Sequence, residues 1–350
     1  MLEGAALPIV FTANAGRDPA AFKALAVFAD RFAFPVVQHK PRYLCLPSSH
    51  PMNLGYDPAR LVGQADVALV LESDVPWIPA HGDPKPDCKV IHIAVDPLFS
   101  RIPIRGFRCD LGITAHPATA LAALGDALAR RIDDGAIATR RAHVAALYSD
   151  LEKEREKMRE AASRSWPISM AWVSRCLHEA KDASTIVINE YTLDLIHCGF
   201  EGPDLYFGSS AASGLGWGAG AALGAKIAAP DRTVVAVMGD GAYMFSNPAA
   251  VHHAAAMHDL PVLFVVTNNA RWNAVRRSTL AMYPDGRASR SNAAPFMELT
   301  NLPAFEQICE SAGGYGERVE AAAELPAAFA RAMAVVRNEK RQALLNVICA

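Results

Sequence analysis

No Cys-x-x-Cys pair occurs anywhere in the chain, and its seven cysteines (45, 88, 109, 176, 198, 309 and 349) are odd in number and scattered. That excludes a disulfide frame, a zinc site and an iron–sulfur site, and the thiols read as reduced, in keeping with a cytoplasmic protein. No apolar run approaches the ~18 residues of a membrane span. The N-terminal stretch 1–16 has no basic leader and meets Gly and charge too early for a signal peptide. Charge of one sign is also wanting: 34 Lys and Arg stand against 36 Asp and Glu, a formal net charge of −2. Such a balance offers no electrostatic reason to expect nucleic acid or an anionic membrane as partner. No GxGxxG follows any of the early strands, so a dinucleotide is not supported.

What is present is core. At 350 residues and 51% hydrophobic, the chain has material for two or so domains. To about Leu128 strands alternate with helices. Pro8 to Thr12, Pro35 to Gln38, Ala68 to Leu71 and Val90 to Val95 read as strands. Asp18 caps a helix from Pro19 to Phe32, with Pro at its first position. From Asp133 to Ser165 the chain is charged and helical, with opposite charges at i,i+4 spacing, ending at Trp166-Pro167. A third region follows: a helix over Ser169 to Ala180, a strand over Thr185 to Ile188, and the small-residue stretch 206–220. Near the end come helices over Pro303 to Ala312 and Ala321 to Arg337, and a strand over Ala343 to Ile348. The pattern predicts an α/β protein with two doubly wound, mostly parallel sheets. The expected bounds are 1–130 for a Rossmann-like domain, 131–167 for a helical connector and 168–350 for a second sheet domain.

One stretch organises the rest. Val234 to Met238 is an apolar run broken at Gly239-Asp240-Gly241; a helical segment follows, then a second apolar run, Val262 to Thr267, ending in Asn268-Asn269. Two buried parallel strands around a crossover helix read this way, and their loops open on the sheet edge where α/β folds bind ligands. An Asp oxygen, an Asn oxygen and a backbone carbonyl suit Mg²⁺, which also takes phosphate oxygens. The glycines let backbone N–H groups approach an anion.

GDG, helix, strand and NN together resemble the thiamine-diphosphate motif of the acetolactate synthase and benzoylformate decarboxylase family. The resemblance implies thiamine diphosphate and Mg²⁺ as cofactors. It implies Asp240, Asn269 and the Arg271 carbonyl as metal ligands, with Gly239, Gly241 and Ala242 at the diphosphate. The Asp240-to-Asn269 spacing is roughly two residues longer than is usual there, the extra length lying before Pro261. Asn189-Glu190-Tyr191-Thr192 resembles a diphosphate-touching segment of the family, which assigns Tyr191 and Thr192 to the cofactor. The stretch 206–220 resembles its aminopyrimidine loop: Leu215 would prop the cofactor in its bent form, the Ser213 carbonyl would accept its amino group, and Gly214 lies between them. Trp272 and Val275 become wall residues of a substrate pocket. Arg276 or Arg277 could meet a substrate carboxylate, and His197 is a further pocket candidate. Residues 284–296 read as a mobile loop. His252, His253 and His258 carry no metal-ligand logic.

The resemblance spans nearly the whole chain but only the middle and diphosphate-binding domains. The pyrimidine-binding domain, with the glutamate that activates the cofactor, would precede Met1, and Glu190 lies on the wrong side to replace it. The expectation is a subunit of a lyase or carboligase acting on 2-oxo acids, by decarboxylation or acyl transfer to a second carbonyl. It would be active with a separate pyrimidine-domain chain in a hetero-oligomer holding two or more copies of each. A split decarboxylase or 2-oxoacid oxidoreductase subunit, and a non-catalytic regulatory subunit, are the alternatives.

Overall fold

The long apolar runs become buried strands in the computed structural model, in which residues 1–210, 213–291 and 296–349 are described. The chain divides into two units, Met1–Lys157 with Gly199–Gly208, and Met158–Cys198 with Ser209–Ala350.

In the first unit β1 (Pro8–Thr12), β2 (Val36–Gln38), β3 (Val67–Leu71), β4 (Lys89–Ala94) and β5 (Leu111–Thr114) form a parallel sheet ordered β2-β1-β3-β4-β5. Helices α1 (Pro19–Phe32) and α2 (Pro117–Leu128) pack on each other. The Asp18 carboxylate caps α1 by accepting from the N–H of Ala20 and Ala21 at 3.0 and 3.2 Å. Phe28 and Phe32 from α1 meet Phe34 in the core, with Phe28 5.2 Å from each of the other two rings. Each such buried ring contributes about 1.5–3 kcal/mol. The strand β5 was not expected; its residues are mostly exposed at the sheet edge, so no apolar run marks it. Helix α3 (Asp134–Ala162) is the charged segment. The seven cysteines are free thiols, six of them buried. No helix among the described residues is long and apolar enough to cross a membrane.

The remaining strands are β6 (Ile186–Glu190), β7 (Tyr206–Gly208), β8 (Val234–Gly239), β9 (Val262–Asn268), β10 (Tyr315–Val319) and β11 (Ala343–Ile348). Of these β7 belongs with the first unit, where Phe207 bridges to Tyr43. The second unit's strands run β10-β11-β9-β8-β6, all parallel. Its helices are α4 (Met170–Ala180), α5 (Trp217–Ala228), α6 (Asp240–Phe245), α7 (Pro248–Met257), α8 (Asn273–Met282), α9 (Arg287–Ser291), α10 (Phe305–Ser311) and α11 (Leu325–Ala334). Ser169, read as the first residue of this helix, instead caps α4, its Oγ accepting from the Trp172 N–H at 3.3 Å. Three details differ from expectation. The strand β6 runs on through Glu190, the strand β10 lies between the last two helices, and Arg287–Ser291 is a helical turn inside the stretch read as loop. Residues 292–295 of that stretch, and 211–212 of the small-residue stretch, lie outside the described residues.

Candidate active site

Because β6, β8 and β9 are neighbours and parallel, their C-terminal ends converge on one edge. There they deliver Tyr191 and Thr192, Gly239 to Ala242, and Asn269, Arg271 and Trp272 into a cleft of about 650 Å³. Ser213, Gly214, Leu215 and Val275 line the same cleft, so every residue singled out for cofactor, metal and pocket wall is brought together. A separate groove of about 500 Å³ between α4 and α11 contains none of them.

At the centre is Asp240, 3% exposed. Its Oδ2 accepts the Asn269 N–H at 3.1 Å, so the longer spacing between these residues leaves them adjacent. Its Oδ1 accepts the N–H of Gly241 at 2.7 Å, so that expected anion donor is engaged by the neighbouring carboxylate. Burial pushes the Asp240 carboxyl above its ordinary range, against the lowering effect of the surrounding backbone N–H groups. Asn269 Oδ1 accepts the Arg271 N–H at 3.1 Å, which curls the chain after β9 back over Asp240. Among the described residues no group of three or more His, Cys, Asp or Glu could hold a metal. The oxygen set here is of another kind: one carboxylate, one amide and a carbonyl.

Thr192 stands beside Gly239, where an added Cβ would lie 3.8 Å from its methyl group. Its turn is braced by Asn189, whose Oδ1 accepts the N–H of Thr192 and of Leu193, each at 3.1 Å. Tyr191 takes φ +80, a conformation L-residues rarely adopt. The hydroxyl of Thr192 is buried and has no hydrogen-bond partner among the described residues. Such a group ordinarily costs about 1–3 kcal/mol, and its persistence at a cleft floor points to a ligand acceptor.

The opposite wall is Trp272. Its backbone N–H donates to the Met297 carbonyl at 2.8 Å, and its ring lies edge-on to Phe245, with centroids 5.6 Å apart. The indole lies so close above Gly241 that any Cβ there would collide with it, which accounts for glycine at this position. On α8 Asn273, Ala274 and Arg277 share a face and line the cleft. Arg271 is neutralised by Glu298 at 3.2 Å, whereas Arg277 has no ion-pair partner among the described residues. Of the basic pair, Arg277 and not Arg276 reaches the cleft. His197 is a correction: it is 3% exposed, 3.8 Å from Asp194, and does not line the cleft.

Two networks behind the site escaped the sequence reading. The Tyr243 hydroxyl donates to His252 Nε2 at 2.7 Å; His252 Nδ1 donates to Gln342 Oε1 at 2.7 Å; Gln342 Nε2 donates back to the His252 carbonyl at 2.9 Å. This ties α6, which starts at Asp240, to the segment entering β11. Asn268 Nδ2 donates to Asn346 Oδ1 at 3.1 Å, and Asn346 Nδ2 to Glu306 at 2.7 Å, bracing the end of β9. Their only sequence signal is polar residues inside apolar runs.

Residues 190–347 match the family described as thiamine pyrophosphate enzyme, C-terminal TPP binding domain. The whole chain aligns with sulfoacetaldehyde acetyltransferase of Alcaligenes xylosoxydans at 25% identity, spanning 62% of that protein. It is 33% identical over 141 residues to acetolactate synthase isozyme 3 large subunit of Escherichia coli, which is 40% of this chain and 23% of that one. In fold it is similar to the Rhodococcus jostii thiamine diphosphate-dependent 4-hydroxybenzoylformate decarboxylase, with a TM-score of 0.74, 20% identity, and 99% of this chain and 62% of that one covered. The site edge and the domain match agree: residues 190–347 correspond to the C-terminal TPP binding domain of the thiamine pyrophosphate enzymes, and the chain spans less than two thirds of the relatives it matches.

Proposed function

We propose that this chain is the diphosphate- and Mg²⁺-binding part of a lyase or carboligase acting on 2-oxo acids. Asp240, Asn269 and the Arg271 carbonyl hold the metal. Thr192 donates its hydroxyl to a phosphate oxygen, and Ala242 offers a backbone N–H. Ser213 and Leu215 receive the ring end of the cofactor, with Gly214 and Tyr191 beside them. The carrying observation is the buried Thr192 hydroxyl, without a partner among the described residues, beside the paired Asp240 and Asn269. When bound, thiamine diphosphate supplies a carbon nucleophile for the 2-oxo carbonyl. The chain's own residues hold and orient it, while Trp272 and Val275 exclude water from one side and Arg277 faces the substrate's anionic group.

The activating carboxylate, in this reading, comes from another polypeptide carrying a pyrimidine-binding domain. The oxygens of Glu190 and of Asp240 are already occupied by backbone N–H groups. Around the cleft Tyr191, Leu215 and Phe245 are 58%, 51% and 64% exposed, an apolar rim of the kind a partner covers. A complex with two or more copies of each chain fits that rim.

Calorimetry of thiamine diphosphate with Mg²⁺, on this chain alone and mixed with a pyrimidine-domain polypeptide from the adjacent reading frame, tests the proposal. Turnover of a 2-oxo acid is expected in the mixture only. Turnover by this chain alone would put the activating group within it. Asp240→Ala and Asn269→Ala are expected to abolish Mg²⁺-dependent binding, and wild-type affinity in either variant sinks the metal assignment.

A further inference from the structure

Glu190 ends β6 inside the cleft, 3% exposed, and the carboxylate lies beside the first turn of α5. One oxygen accepts the Gly216 N–H at 2.7 Å and the other the Gly218 N–H at 2.6 Å. A helix N-terminus carries unpaired N–H groups and a partial positive charge, and here a side chain from the neighbouring strand satisfies them. The loop is held from its other side too. Gly216 has φ +89, and a Cβ there would lie 2.6 Å from the Phe245 carbonyl carbon. At Gly218 a Cβ would lie 2.9 Å from Glu190 Oε2 and 3.1 Å from its Cβ. Two glycines at these spacings are therefore required for the backbone to come within reach of the carboxylate. Leu215 precedes the anchored pair directly, and Ser213 lies two residues further back.

We propose that Glu190 is a positioning residue: a resident anion, seated on the start of α5, that fixes the loop carrying Ser213 and Leu215 against the sheet. Resting on the thiamine-diphosphate reading of the cleft, it acts on the ring end of the cofactor and leaves the diphosphate end alone. Glutamine has the same shape, but it presents an amide donor to one of the two N–H donors and carries no charge.

The test is Glu190→Gln in the full chain, with two measurements. Amide hydrogen exchange is expected to quicken at least about tenfold in the segment 213–220 and to stay unchanged in β8 and β9. The Kd for thiamine diphosphate with Mg²⁺ is expected to rise about tenfold, with that for inorganic diphosphate and Mg²⁺ unchanged. Unchanged exchange in 213–220 overturns the anchor, and equal effects on the two ligands overturn the positioning role. Should Glu190→Gln loosen the whole unit, Gly218→Ala displaces the same carboxylate from the loop side and is expected to give the same split between ligands. If the wild-type chain binds neither ligand, the cofactor reading itself fails, and the exchange data still decide whether Glu190 holds the loop.

Discussion

Thr192→Val separates stability from binding with one isosteric change. The Thr192 Oγ1 is buried without a partner among the described residues, while the backbone around it is held by Asn189. Valine keeps the shape and branching and removes only the hydroxyl. Relief of the unsatisfied group should stabilise the unliganded chain by about 1–2 kcal/mol. At about 2–4 °C per kcal/mol for a unit of this size, melting rises by roughly 2–8 °C. In the liganded state the sign reverses, because a hydrogen bond from Oγ1 to a charged phosphate oxygen contributes about 1.5–3 kcal/mol, or roughly 10- to 100-fold in Kd. Scanning calorimetry in phosphate-free buffer measures the first effect and titration with thiamine diphosphate and Mg²⁺ the second. A variant that melts lower, or that binds the cofactor as well as wild type, refutes the reasoning.

Gly216→Ala meets both an unfavourable φ and the Phe245 carbonyl, and the expected loss is at least ~2 kcal/mol in urea unfolding; an unchanged midpoint would contradict the packing described. Burial, helped by the charge of Arg105, lowers the His92 imidazole to about 4. Below its ordinary value of about 6.5 the unfolded chain takes up a proton that the folded chain refuses. Stability is therefore full above that value and falls by about 2 kcal/mol between pH 7 and pH 5. Urea unfolding at the two pH values should show this loss, and His92→Gln should flatten it. Arg277→Ala in the assembled enzyme is expected to raise KM for the 2-oxo acid about tenfold with kcat within about twofold of wild type; steady-state kinetics with an unchanged KM would remove Arg277 from the substrate side.

The strands β3, β8 and β9 were legible because both their faces are buried, so each is a continuous apolar word between turn signals. The same logic explains what was missed. In β10, Tyr315 to Val319 is half-exposed at a sheet edge and reads YGERV, and β5 is shorter and more exposed still. The helical turn Arg287–Ser291 buries no residue, so nothing in its sequence separates it from loop. At the cleft, a spacing in sequence sufficed for Asp240 and Asn269, since a parallel β-α-β unit puts its two strand ends side by side. The two hydrogen bonds of Glu190 and the bond from His252 to Gln342 join residues 26 or more positions apart, and no local pattern encodes them. His197 went wrong for the related reason that closeness along the chain to Thr192 does not decide which way a ring points.

The order of strands in the second sheet also bears on synthesis. Asn268 at the end of β9 finds its partner Asn346 in β11, 78 residues further on. A ribosome adding about 5–20 residues each second needs roughly 4–16 s to cover that distance. Throughout it, the nascent β9 has β8 on one side and bare hydrogen-bonding groups on the other, because β11 is an interior strand of the finished sheet. The cleft-facing end of β9 is thus completed only as translation reaches the 340s, and an open strand edge of this kind is what chaperones and stray β-segments recognise. A premature stop just before Ala343 would remove no residue of the cleft, yet it would leave every nascent copy in that open state.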